Sequence, residues 1–202
     1  MSKATFFSAA VIATTGLMAT QTALAYEAGD FFVRGGIATV HPTSDSGRLA
    51  GQELDIADEN GFTYGFGYLF TDKIGVELNR SEPFEHDLTL GSTDIGSVDR
   101  TPVNLLANYY PLGGTDSQVQ PYAGVGVNYT TYSDEELSGL NIDDSWGAIG
   151  QVGVDFALTD YLLLNASVSY ADVEADASLK GSNIGTADVD PVTVGGGVTL
   201  RF

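Results

Sequence analysis

The sequence contains no cysteine and only eight basic residues against 27 acidic ones. Without cysteine there is no disulfide framework of the kind common in small secreted domains. The formal net charge of −19 and the lack of a basic patch argue against nucleic acid as a partner, because phosphate binding depends on Lys and Arg. After the first 25 residues there is no run of 18 or more apolar residues, which argues against a transmembrane helix.

Residues 1–25 have the layout of a secretory signal peptide. Lys3 gives a positive start, residues 6–17 form an apolar core, and Ala23-Leu24-Ala25 is a small-x-small cleavage site. We therefore predict cleavage near Ala25 and one mature domain, residues 26–202. This domain is exported without an apolar helix, although 43% of the whole chain is hydrophobic.

Apolar residues recur at every second position in eight segments, a period typical of strands with two unlike faces. The clearest segment places aromatic residues on one face and mostly small ones on the other, with Phe62, Tyr64, Phe66, Tyr68 and Phe70 in the stripe. Because such a stripe facing water promotes aggregation, we expect it to contact lipid. The predicted strands cover about residues 31–40, 61–70, 74–80, 102–110, 122–132, 145–156, 161–171 and 192–202.

The connections between these strands alternate in length. Three are short, at 71–73, 111–121 and 157–160, and four are long, at 41–60, 81–100, 133–144 and 172–190. Each long connection carries five acidic residues, so 20 of the 27 acids lie at one rim. Short periplasmic turns and long extracellular loops are typical of outer-membrane barrels, so we predict an all-β, eight-stranded antiparallel transmembrane β-barrel in the outer membrane.

A soluble lipocalin-like barrel is the alternative, since it also combines eight strands with a secretion signal. It would place its apolar residues inside and its polar residues outside. The last strand instead ends in an alternation that closes on an apolar Phe202. This ending favours the membrane barrel.

Five stretches resemble the outer membrane protein W (OmpW) family. They are VRGGIATVHP (33–42), TDKIGVEL (71–78), PFEH (83–86), PYAGVGVNYTTY (121–132) and DSWGAIGQVGVDF (144–156). The resemblance implies an eight-stranded barrel with a narrow, largely apolar lumen. It also implies a role in moving small hydrophobic molecules across the outer membrane. The terminal Phe202 is similar to the signal by which the barrel-assembly machinery recognises such proteins.

Four charged residues fall on the predicted inward face near the periplasmic strand ends: Arg34, Glu77, Asp155 and Arg201. Because unpaired buried charge is unfavourable, we expect these two cations and two anions to pair in one layer. We hypothesise a charged plug, supported by Asn79, Asn108, Tyr110 and Gln151. The alternative is that the pairs only fill the barrel and fix its register.

The inward positions nearer the extracellular end carry less charge: Val40, Pro102, Tyr132 and Ile149, with Phe84 nearby. A mostly apolar vestibule with few polar groups suits a small hydrophobic ligand. If the floor is plugged, such a ligand has a lateral exit between strands into the bilayer. The alternative is that these side chains only pack against the loops.

No catalytic, metal or cofactor site is predicted. His86 beside Asp87 has no matching nucleophile, so we expect no enzyme activity. The acidic loops lack the ligand spacing of an EF-hand, although cations would screen them from the phosphates of lipopolysaccharide and other outer-membrane lipids. Two functions remain open: a passive conduit for small hydrophobic molecules, and a receptor whose acidic loops bind phage, bacteriocin, a host surface or lipopolysaccharide without transport.

Overall fold

The computed structural model describes residues 26–42, 47–49, 52–90, 93–133, 140–179, 181–188 and 190–202. The predicted signal peptide, residues 1–25, lies outside these ranges. In the part of the chain that is described, no helix is long and apolar enough to cross a membrane.

Fourteen strands run through the described residues, and eight of them close into a ring. The strands are β1 (Phe31–His41), β2 (Gly47–Leu49), β3 (Gln52–Ile56), β4 (Glu59–Thr71), β5 (Ile74–Ser81), β6 (Phe84–Leu90), β7 (Thr93–Tyr109), β8 (Val119–Ser133), β9 (Leu140–Ile142), β10 (Ser145–Ala157), β11 (Leu162–Ala171), β12 (Glu174–Leu179), β13 (Ser182–Asp188) and β14 (Val192–Arg201). The ring order is β1-β4-β5-β7-β8-β10-β11-β14, and β14 pairs with β1. All eight pairings are antiparallel, so the predicted eight-stranded barrel is confirmed.

The two faces of the barrel wall differ in chemistry, as the alternation predicts. On β4, Phe62, Phe66 and Phe70 point outward and are 45%, 58% and 59% exposed, whereas Leu69 points inward and is fully buried. Val125 on β8 is 70% exposed. A continuous apolar belt of this kind is unfavourable in water and suited to contact with lipid.

Aromatic side chains concentrate at the two ends of this belt. One end carries exposed Phe31, Phe70, Tyr109, Phe156, Tyr161 and Phe202, and the other carries Tyr129, Trp146 and Tyr170. The Tyr129 and Trp146 rings lie 4.7 Å apart. Aromatic rings are enriched where hydrocarbon meets water, so the two groups mark the interfaces. The turns at 72–73, 110–118 and 158–161 share one end, which we call periplasmic, and the opposite end is extracellular.

Six of the strands extend the sheet beyond the extracellular end of the barrel. They continue from β7 in the order β6-β3-β2-β13-β12-β9. The assignment of 41–60, 81–100, 133–144 and 172–190 as loops is therefore wrong for much of their described length. In β12, exposed Glu174 and Asp176 alternate with buried Ala175 and Ala177, so the period of two is present. Because the buried residues of this strand are alanines, its two faces differ little in hydrophobicity, and the alternation is hard to recognise in the sequence.

A cluster of buried side chains fills the periplasmic end of the lumen: Tyr26, Phe32, Leu69, Tyr110, Tyr122, Ala157 and Leu163. Phe32 on β1 lies directly over Gly67 on β4, where an added Cβ would overlap its ring. The absence of a side chain at position 67 therefore creates the space that this ring occupies. This cluster therefore forms part of the core of the barrel and also closes its periplasmic end.

We predict that Gly67→Ala destabilises the barrel by about 1–3 kcal/mol, because the buried Phe32 ring has to move. The matched control is Gly195→Ala, also inward-facing, where the added Cβ would lie at an ordinary 3.4 Å from Ala38. Urea unfolding in lipid vesicles, followed by fluorescence of the single tryptophan, Trp146, measures both variants. Equal unfolding midpoints for the two would contradict the packing argument.

Candidate functional site

A cavity of about 890 Å³, its open mouth included, lies inside the barrel above the periplasmic cluster. Part of its wall carries no side chain, because Gly36 on β1 and Gly195 and Gly197 on β14 face it. Its lower lining is polar and charged. Its upper lining includes apolar residues: Ala38, Val40, Phe84, Pro102, Ile149 and Ala171. The lining is therefore mixed, and its apolar part lies toward the extracellular end.

Arg34 lies at the bottom of the cavity and is held by two carboxylates. Its Nη1 donates to Glu77 Oε1 and its Nη2 donates to Asp155 Oδ2, both at 2.9 Å. Its Nε donates to the Thr199 hydroxyl at 3.0 Å, and Nη1 also donates to the Tyr122 hydroxyl at 3.2 Å. Glu77 and Asp155 are 1% and 0% exposed, so these are desolvated ion pairs.

Amide side chains satisfy the remaining carboxylate oxygens of this layer. Glu77 Oε2 accepts a hydrogen bond from Asn108 Nδ2 at 2.8 Å, and Asn108 Oδ1 accepts one from Gln151 Nε2 at 2.8 Å. Asp155 Oδ1 accepts a hydrogen bond from Asn165 Nδ2 at 2.8 Å. A buried ion pair is favourable only when its other polar atoms are also bonded, and this layer meets that condition.

Tyr26 closes the lumen below the charged layer. Its side chain is fully buried and its hydroxyl donates to Asp155 Oδ2 at 2.9 Å. Its carbonyl accepts a hydrogen bond from the Gly114 amide at 2.9 Å. Its ring lies 4.7 Å from that of Tyr110 and 5.7 Å from that of Phe32. The floor therefore has two layers, charged above and aromatic below.

Arg201 lies apart from the charged layer. Thr199 is opposite Arg34 in the register, and Arg201 is two residues nearer the periplasmic end of β14. Its Nε donates to the carbonyl of Asp160 at 2.9 Å and lies 3.7 Å from the Asp30 carboxylate. Of the four charged residues expected in one layer, Arg34, Glu77 and Asp155 therefore lie in contact. Arg201 lies nearer the periplasmic rim, where it contacts Asp160 and Asp30. The stagger between neighbouring strands, which sets the layers of a barrel, produces this division.

A row of amides crosses β5, β7 and β8 above the floor. Asn104 Nδ2 donates to Asn79 Oδ1 at 2.8 Å, and Asn128 Nδ2 donates to Asn104 Oδ1 at 2.6 Å. The Thr130 hydroxyl continues the row by donating to Asn128 Oδ1 at 2.7 Å. Asn79, expected among the residues that support the floor, belongs to this row, whereas Tyr110 belongs to the aromatic layer.

Four of the five predicted vestibule residues line the cavity: Val40, Phe84, Pro102 and Ile149. The Phe84 ring lies over Gly61, where a Cβ would overlap it, and the residue is 2% exposed. Tyr132 is not part of the lining. It is opposite Arg100, one inward position further toward the extracellular end than the row of Pro102.

The hydrophobic pattern does not identify Arg100 as a luminal residue, although it lines the cavity and is 2% exposed. Arg100 is an even number of residues from Leu106 and Pro102, which face the lumen, so the alternation along the strand places it on the inward face as well. The signal is hidden because the neighbours on the opposite face, Asp99 and Thr101, are polar. Tyr26 was also missed, because it precedes β1 and has no strand period.

Neither histidine forms part of a described catalytic or metal site. His41 Nδ1 lies 2.7 Å from Asp58 Oδ2 at the extracellular end, where both side chains are largely exposed. The side chains of His86 and Asp87 lie outside the described set. Within the described residues, no group of three or more His, Asp or Glu side chains could hold a metal ion.

A closed eight-stranded ring with an apolar exterior, aromatic belts and short turns at one end defines an outer-membrane type of β-barrel. The model of the OmpW family matches residues 27–202. The chain therefore belongs to the OmpW family and is an outer-membrane protein.

Individual relatives agree with this assignment. The chain is 42% identical over 186 residues to outer membrane protein W of Salmonella typhi, covering 86% of this chain and 87% of that protein. It is 41% identical over 183 residues to outer membrane protein W of Escherichia coli (strain K12), covering 85% of each. The crystal structure of the outer membrane protein OprG from Pseudomonas aeruginosa is similar with a TM-score of 0.79 and 35% identity, covering 88% of this chain and 98% of that one.

We predict that Arg34→Met destabilises the barrel by about 3–5 kcal/mol, because two buried carboxylates lose their counterion. The triple variant Arg34→Met, Glu77→Gln and Asp155→Asn removes all three charges, and we expect it to regain most of the loss. Urea midpoints in lipid vesicles measure both. A triple variant as unstable as the single one would show that charge pairing is not what stabilises this layer.

Proposed function

We propose that the barrel is a narrow passive conduit for small hydrophobic molecules, which enter from the extracellular side and occupy the cavity above the charged floor. The observation that carries this proposal is the cavity itself, closed below by two packed layers and lined above by Val40, Phe84, Pro102 and Ile149. Its lining combines these apolar side chains with polar groups, as small-molecule pockets usually do.

The closed floor supports a passenger that does not need a water-filled path. An eight-stranded ring is just wide enough for inward side chains to fill it. Here the side chains around Arg34 bridge β1, β5, β8, β10 and β14. A hydrophobic molecule that enters the vestibule therefore needs a route other than the periplasmic end.

The end of β5 offers such a route through the wall. Its pairing with β4 ends at Ser81, while β4 and β7 both continue beyond it toward the extracellular end. Tyr64 and Arg80, which face outward next to this point, also border the cavity. The Phe84 ring covers the position from inside. In our proposal the molecule leaves sideways here, into the bilayer.

We expect Ile149→Trp to reduce uptake of the uncharged dye N-phenyl-1-naphthylamine to the level of cells that lack the protein. Ile149 is 6% exposed and lines the cavity, so a larger ring at this position occupies the path. The matched control is Val152→Trp on the same strand, where the side chain is 59% exposed on the outer face. Dye fluorescence in whole cells measures uptake. Undiminished uptake by the Ile149 variant would contradict the proposed path.

The charged layer is proposed to act as the plug of the periplasmic end. We expect Arg34→Ala to raise single-channel conductance in planar bilayers, because it removes the side chain that joins Glu77 to Asp155 across the lumen. Arg201→Ala should change conductance less, since Arg201 lies outside this layer. Unchanged conductance in the Arg34 variant, in protein that still migrates as a folded barrel, would favour a layer that only fills the lumen.

The second candidate is a receptor whose extracellular extension binds a surface partner without transport. The observation that favours it is that 20 of the 27 acidic residues fall in the four segments 41–60, 81–100, 133–144 and 172–190 of the sequence. Exposed Asp143, Asp144, Asp172 and Glu174 illustrate its chemistry. A lumen packed throughout would favour this function, and the cavity instead supports the conduit. Binding of phage, bacteriocin, host surface or lipopolysaccharide by the Ile149→Trp variant would separate the two functions.

A further inference from the structure

A second buried cation lies at the upper end of the cavity, and within the described residues it has no counterion. Arg100 lines the cavity from β7 and is 2% exposed. Its Nη2 donates to the Thr130 hydroxyl at a long 3.4 Å, and its Nε has no hydrogen-bond partner. The ion pairs of Arg34 and Arg201 have no equivalent at this position. A buried guanidinium without an anion is unfavourable, because it has lost its water without gaining a counterion.

The hydroxyl groups at this end of the cavity bring no negative charge to Arg100. Those of Ser81, Tyr132 and Ser145 are buried without a hydrogen bond of good geometry, although Tyr132 lies close enough to interact with both Arg100 and Ser145. Tyr132 is opposite Arg100 in the register, Ser145 is opposite Thr130, and Ser81 lines the cavity. Buried polar atoms without partners are rare in folded proteins, and a cluster of them next to a cavity marks a place for a ligand atom. All of these groups can donate, so that atom is an acceptor.

We propose that Arg100 binds the carboxylate of a small amphipathic ligand whose apolar body lies against Phe84, Pro102 and Ile149. A guanidinium presents a planar fork of donors that matches a carboxylate, and a buried pair of this kind is stronger than a neutral hydrogen bond. Arg34 is not available for this role, because Glu77 and Asp155 already neutralise it. The inference rests on the proposed conduit and defines its substrate class as small amphipathic carboxylates.

The geometry separates this ligand from the lipid outside the barrel. Arg100 is on the inward face of β7, so the headgroups of the outer leaflet do not reach its guanidinium. Arg80 also borders the cavity, but it is exposed on the outward face of β5. Because Arg80 borders the cavity, the control is instead Lys73, an exposed cation in the turn between β4 and β5 that does not line the cavity.

Equilibrium binding of octanoate, octan-1-ol and acetate to the protein in lipid nanodiscs tests the proposal, with empty nanodiscs subtracted. We expect the wild-type protein to bind octanoate about tenfold or more tightly than octan-1-ol, as one charge-assisted pair would provide. Arg100→Gln should remove this preference by weakening the binding of octanoate to the level of octan-1-ol. Lys73→Gln should leave the binding of both compounds unchanged. Acetate, which lacks the apolar body, should bind far more weakly than octanoate.

The outcomes distinguish this inference from the proposed conduit. Binding of octan-1-ol without any preference for octanoate would overturn the carboxylate site and leave the conduit standing. Binding of neither would overturn both. A preference for octanoate that persists in Arg100→Gln would assign the anion to another residue and overturn the role of Arg100.

Stability provides a second, independent measurement. If Arg100 serves a ligand and not the fold, Arg100→Met removes an unpaired buried charge and should unfold at a urea concentration equal to or higher than that of the wild type. A clear loss of stability without ligand would show that Arg100 holds the wall together and would overturn the proposal. Added octanoate should raise the unfolding midpoint of the wild type and not that of Arg100→Met.

Discussion

A peptide group inside hydrocarbon has no water to bond with, so a sheet that crosses a bilayer has to pair its last strand with its first. Here β1 and β14 form that joint over ten residue pairs, from Phe32 with Arg201 to His41 with Val192. Closing the ring with eight strands leaves a lumen that one long side chain can span. From β1, Arg34 contacts side chains on β5, β8, β10 and β14. The charged floor therefore depends on the narrow lumen of the eight-stranded ring as well as on the residues that form it.

The two inward-facing arginines of the cavity differ in what surrounds them. All three side-chain nitrogens of Arg34 donate hydrogen bonds to neighbouring oxygens. The two carboxylates that accept from it, Glu77 and Asp155, also accept hydrogen bonds from amide side chains. Arg100 meets only neutral hydroxyl groups among the described residues, those of Thr130 and Tyr132. A satisfied network stabilises the fold, whereas an unsatisfied charge lowers stability and persists where function requires it. The paired charges around Arg34 thus stabilise the fold, whereas Arg100 in the upper lumen is the residue that we propose binds a ligand.

The eight strands could be predicted because their outward side chains are apolar along the hydrocarbon. Beyond it the contrast fades, so the period carried by Ala175 and Ala177 in β12 was not recognised as a strand. Arg100 was missed for the same reason, since its neighbours on the opposite face are polar. Which inward residues share a layer could not be predicted either. Arg201 and Thr199 have the same parity, and only the stagger of the whole ring determines which one lies opposite Arg34.

The acidic rim and the buried cation act on an anion over different ranges. Exposed carboxylates such as Asp143 and Asp144 repel it during approach, over a distance that physiological salt limits to about 8 Å. Arg100 acts only after the anion has lost its water, in surroundings of low dielectric where a charge pair is strong. A small hydrophilic anion meets the repulsion and gains little inside. An amphipathic one gains the burial of its apolar body as well, and this gain offsets the repulsion at the rim. The exposed carboxylates and the buried Arg100 together therefore disfavour small inorganic anions and favour amphipathic ones.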